Sequence, residues 1–121
     1  MEEISRMQKN LLLIRRLAGW SAKEFGNRIG VTRQTINNIE SGRSKLTKTQ
    51  YIAMRYVLDA EMKESSDNTA ILKDVLETII DNPDEYSDEY LESFLLKANI
   101  IASAITLGMI TKEAALIEWK R

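Results

Sequence analysis

Apolar positions recur along this chain at three- and four-residue spacing, the repeat of a helix face. Met7, Leu11, Ile14 and Ala18 share one face, with Leu13 and Leu17 beside them. Ser5 followed by Gln8 reads as a capping box, so the pattern predicts one first helix from Ser5 to Ala18, broken at Gly19. Trp20 sits just before Ser21, placed to pack back as a boundary aromatic on the helix it introduces. Ser21 with Glu24 is a second capping box, Phe25 and Ile29 lie one turn apart, and Gly30 ends this second helix. Thr32 caps a third helix whose Ile36 and Ile39 point inward and which Ser41-Gly42 closes. Thr47 with Gln50 opens a fourth, running to about Asp59, with Tyr51, Met54, Val57 and Leu58 on its apolar face.

Lys63 to Asn68 is a polar, linker-like stretch, so the boundary is placed there: residues 1–62 as one unit and 63–121 as another. Beyond it, Ile71, Leu72, Val75, Leu76, Ile79 and Ile80 form a stripe on a fifth helix that Asn82-Pro83 ends. A long sixth helix is expected from about Ser87 to Leu107, and Thr111 caps a last one. The sixth helix has two apolar faces. Leu91, Phe94, Leu95, Ala98, Ile101, Ala102 and Ile105 follow one; Leu96, Ile100, Ala104 and Leu107 follow the other. Three helices cannot bury both within one chain, so the second half is expected to dimerise, with Phe94, Leu95, Ile101, Ile105 and Trp119 at the contact. The fold class expected is all-α, with four short helices at the N-terminus and a three-helix segment after them.

Composition then narrows the chemistry. There is no cysteine and no histidine, which removes disulfides, thiol catalysis, thiolate zinc sites, and the commonest general base and metal ligand. No cofactor and no metal site are expected. The acidic run at Asp81, Asp84, Glu85, Asp88 and Glu89 lacks the loop glycine and ligand spacing of a calcium site, and carboxylates in a helix's first turn explain most of it. The apolar run from Phe94 to Ile110 is 17 residues and holds Lys97 and Asn99, so a membrane span is not expected. The N-terminus has no apolar signal region, which makes a cytoplasmic location the expectation. Net charge is −1, but residues 1–60 carry +6 and residues 61–121 carry −7. That split suits a polyanion-binding half joined to a half with another task.

The outer face of the third helix carries Arg33, Gln34, Thr35, Asn37 and Asn38. A merely solvated helix draws on Lys and Glu, whose helix propensity is better than that of Thr or Asn. Arg, Gln and Asn present fork-like groups that can bond two atoms of a base edge. Taken with Ile14-Arg15, Gly19-Trp20-Ser21, Phe25-Gly26, Ile29-Gly30-Val31, Ile36, Ile39-Glu40 and Gly42, this half resembles the phage-repressor and Cro-like (XRE-type) helix-turn-helix family. The resemblance implies a sequence-specific binder of double-stranded DNA that regulates transcription as a homodimer on a near-palindromic operator, most simply as a repressor. It implies base contacts from the start of the third helix: Arg33 and Gln34 first, with Thr32, Thr35 and Asn38 supporting. Phosphates would meet the N-termini of helices two and three and Ser21, Arg43, Lys45 and Lys48. Arg15 and Glu40 match a pair that, in related repressors, forms a structural ion pair. Two departures stand out: Ala22 occupies a place where the family commonly has a phosphate-bonding Gln, and Gly26 one where Ala is usual. The alternative is an antitoxin or antirepressor whose acidic half grips a partner protein. No arrangement of carboxylates suggests an enzyme.

Overall fold

In the computed structural model, which describes residues 2–121, the first apolar stripe is divided between two helices. They are α1 (Glu2–Lys9) and α2 (Leu11–Ala18), separated at Asn10. The continuous helix expected from Ser5 is therefore corrected: Ser5 lies inside α1, and Ser5 and Gln8 form no capping box. The Asn10 amide side chain donates to the Arg6 carbonyl at 2.9 Å, and its backbone N–H is shared between the Arg6 and Met7 carbonyls. Met7 and Leu11, on either side of the break, are both fully buried.

Helices α3 (Ala22–Ile29) and α4 (Arg33–Ser41) follow, then α5 (Lys48–Glu64). Each starts at a side-chain cap: Ser21 accepts from Glu24 N–H, Thr32 from Thr35 N–H and Thr47 from Gln50 N–H. Helix α5 passes the expected end near Asp59 by more than a turn. The expected linker is a tight corner rather than an open tether, because the Thr69 hydroxyl donates to the Ser65 carbonyl at 2.8 Å and Thr69 is buried.

The second half holds α6 (Ala70–Val75), a π-helical turn (Leu76–Asp81), a 3-10 turn (Pro83–Glu85), α7 (Asp88–Thr106) and α8 (Lys112–Lys120). A wide turn of this type re-aims backbone carbonyls, and here the Ile80 carbonyl accepts two bonds from Arg6, at 3.0 and 2.6 Å. Arg55 pairs with Asp81 through both carboxylate oxygens at 2.6 and 3.1 Å, which holds its guanidinium pKa above the ordinary arginine value. Trp119 Nε1 donates to Asp74 at 2.8 Å and so fastens α8 to α6.

Both halves contribute to one apolar core. Met7, Ile14, Phe25, Ile36, Met54 and Leu58 join Leu72, Val75, Leu76 and Ile80 in a single cluster. Helix α2 packs on both α6 and α7. The all-helical fold class is as expected, and no strand occurs among the described residues. Among them, too, no helix is long and apolar enough to cross a membrane.

The five residues expected at a dimer contact are used within the chain. Ile101 and Trp119 are buried, and Phe94, Leu95 and Ile105 are half-buried against the core. Trp119 meets Phe94 edge-on at 5.1 Å between ring centroids. The reason is geometric: α2 and α8 cover this face of α7, and it is the opposite face that stays open.

Candidate nucleic-acid interface

The site is built on the α3–turn–α4 unit. Gly30 closes α3 at φ +81°, a conformation that a side chain would strain. Gly26 lies where α3 meets the turn, and a Cβ there would stand 2.6 Å from the Val31 carbonyl oxygen. Phe25, Ile36 and Ile39 anchor the unit from below.

With its apolar side fixed, α4 presents Arg33, Gln34 and Asn37 as exposed side chains and Thr35 and Asn38 as half-buried ones. Arg33 takes part in none of the described ion pairs or hydrogen bonds. Gln34 Nε2 donates to Asn38 Oδ1 at 3.0 Å, so the two amides form one polar unit a turn apart. Thr32 and Thr35 share a hydroxyl–hydroxyl bond at 3.0 Å while Thr32 caps the helix. The side chains expected to face bases thus share one surface at the start of α4.

Behind that surface, Arg15 makes a two-pronged bond to Glu40, 2.7 and 3.0 Å, and donates to the Trp20 carbonyl at 3.1 Å. One arginine so joins α2, the entry to α3 and the end of α4. Arg28 lies over the Trp20 ring at 4.2 Å, and Trp20 packs against Phe25.

The basic loop after α4 is held by a residue that the sequence pattern assigns elsewhere. Gln8 Nε2 donates to the Ile39 and Ser44 carbonyls at 2.9 and 2.8 Å, and its Oε1 accepts from Leu46 N–H at 2.9 Å. This amide orders the segment carrying Arg43 and Lys45, both exposed, with Lys48 exposed just beyond. The signal available in the sequence was a glutamine one position after the buried Met7, on a face otherwise given to apolar residues.

Ser21 differs from the other phosphate candidates. Its hydroxyl accepts from Glu24 N–H, and Glu24 in return accepts from Ser21 N–H at 3.2 Å. That backbone bond first, then the hydroxyl, and to a smaller degree Arg28, hold the Glu24 carboxyl below its ordinary range. The N-terminus of α3 therefore already has an anion beside it, whereas the N-terminus of α4 has no acidic residue in its first turn.

A helix-turn-helix family model matches residues 11–55, the span from the start of α2 into α5. No curated protein and no solved structure matches the chain. The matched span contains both helices of the turn, the Arg15–Glu40 pair and the basic loop. The match spans 45 of the 121 residues, and over that span the chain carries a helix-turn-helix similar to that of the XRE-type, phage-repressor and Cro-like DNA-binding regulators.

Proposed function

We propose that the protein is a transcriptional repressor that occupies a near-palindromic operator as a homodimer. In this reading, residues 1–62 hold the DNA and residues 63–121 mediate association. The observation that carries it is the α4 surface: an unpaired guanidinium and a coupled pair of amides project from a helix whose N-terminus lacks acidic residues. Arg33 reads the two acceptors of a guanine, and Gln34 with Asn38 reads the acceptor and donor of an adenine. Thr32 and Thr35 lie at the edge of the groove. Arg43, Lys45 and Lys48 hold phosphates, with the Ser21 end of α3 contributing less because Glu24 is there. Two copies about one DNA turn apart (~34 Å) would read the two half-sites, and occupancy would exclude polymerase.

Two variants separate reading from holding. Arg33→Ala is expected to lose about 1–3 kcal/mol on the preferred sequence and to relax one base position in each half-site. Lys45→Ala is expected to weaken all sequences alike and to lower the salt slope by about 1. Equilibrium binding to specific and random duplexes over a salt series measures both. Indistinguishable behaviour of the two variants would contradict the assignment.

A further inference from the structure

One face of the second half remains open after folding. Leu96 and Ile100 on α7, Leu107 and Met109 just after it and Ile117 on α8 are each between 60 and 77 % exposed. Leu96 and Ile100 line a groove of about 440 Å³ together with Ser93, Lys97, Ala104 and Glu118. Along α7 the positions Leu96, Ile100, Ser103 and Leu107 follow one another at intervals of four, three and four, the spacing of a helix-pairing seam.

We infer that this face receives the same face of a second copy, with the two α7 helices antiparallel and the two-fold axis passing near Ile100. The inference rests on the homodimer reading above and names its surface. Three observations select a copy of this chain as the occupant. The first is size. The exposed side chains from two copies offer on the order of 1,000 Å² of apolar surface, about the lower bound for a specific interface. The second is charge. This half of the chain carries −7, yet between Ser93 and Thr111 the one charged residue is Lys97 and Glu118 is the one carboxylate lining the groove, so an α7–α7 contact keeps most carboxylates apart. Lys97 itself is engaged within the chain, donating to the Trp119 carbonyl at 2.8 Å.

The third observation is self-complementarity of shape. An antiparallel pairing about Ile100 sets Leu96 opposite Ala104 of the other copy and Leu107 opposite Ser93. Large side chains face small ones at these two steps, and Ile100 meets its own copy on the axis, as a two-fold interface requires of a single surface. The helix dipoles also oppose one another in this arrangement. The smaller apolar patch on α5, Ile52 with Tyr56, has no such seam and serves as the control.

Sedimentation equilibrium of the full chain tests the surface, and crosslinking tests the axis. The wild-type chain is expected to be a dimer at micromolar concentration. Ile100→Glu should raise the dissociation constant by about a hundredfold while keeping cooperative unfolding and half-site DNA binding. Ile52→Glu should stay dimeric. Because the chain has no cysteine, Ile100→Cys should form a symmetric disulfide dimer on mild oxidation, and Leu107→Cys should not. A wild-type monomer, whether or not a different protein then covers the face, would overturn the inference. So would a dimer that survives Ile100→Glu and dissolves on Ile52→Glu. A wild-type dimer that loses its association in Ile100→Glu but binds no DNA would support this interface and overturn the repressor reading instead.

Discussion

A missing Cβ sets how closely α3 approaches the turn before α4. Gly26 stands where relatives of this type usually carry Ala, and a methyl there would sit 2.6 Å from Val31 O and 3.2 Å from the carbonyl of Thr32. Those are backbone atoms, so the turn itself would have to shift. Ordinarily Gly→Ala inside a helix stabilises by roughly 0.5–1 kcal/mol. Here the clash should win, and Gly26→Ala is expected to lower stability by about 1–3 kcal/mol in urea denaturation. A variant more stable than wild type would show that the turn has room. The Ser21–Glu24 box makes a second residue-scale expectation, in pH. A carboxyl with a depressed pKa contributes stability that is present above its ordinary value of 4.5 and is lost as pH falls through the folded value. An NMR titration should place the Glu24 midpoint below 4.5, and Ser21→Ala should move it upward. A midpoint at or above the ordinary value would remove the box as its cause. Both residues were legible in the sequence as turn and cap chemistry. The size of the gap at Gly26 was not, because it is set by the distance from α3 to the turn at Val31 and Thr32.

The same division holds for whole elements. Caps at Ser21, Thr32, Thr47 and Thr111 are local events, readable from a hydroxyl and the residues after it, and these four form, whereas the Ser5–Gln8 box does not. The break between α1 and α2 was not readable. Asn10 is tolerated in a helix, and the helix that it ends packs against the π-helical turn seventy residues away. The same long-range contact gives Arg6 its Ile80 carbonyl. Gln8 is the clearest case of an element held by a distant residue. Its amide satisfies two carbonyls and one N–H of the loop that follows α4. Gln8→Ala should leave them unpaired at a cost of about 1–3 kcal/mol, and should loosen the loop that carries Arg43 and Lys45. Hydrogen exchange at Leu46 N–H checks this directly. Unchanged protection of that amide would mean that the loop orders itself. The bracing of α4 from behind by Arg15 and from the side by Gln8 also suits a chain with Ala22 where relatives often have a bracing glutamine.

For the molecule as a whole, charge and apolar surface divide the labour, even though one core runs through both halves. Net positive charge lies in residues 1–60, the segment that holds α4 and its basic loop. Uncovered apolar surface gathers on the far side of α7, where charge is sparse, with Ile117 of α8 beside it. The amphipathic pattern revealed that α7 had two faces. It could not tell which of them the chain keeps for itself, since that depends on where α2 and α8 come to lie. The account stands on the claim that the exposed side chains of α4 read a DNA sequence. Selection from a pool of random duplexes by the wild-type chain tests it most directly. The account predicts enrichment of one near-palindromic sequence, with the preference in each half-site relaxed at one position by Arg33→Ala. Recovery of unselected sequence from the wild-type chain, or an enriched sequence that Arg33→Ala leaves unchanged at every position, would contradict it.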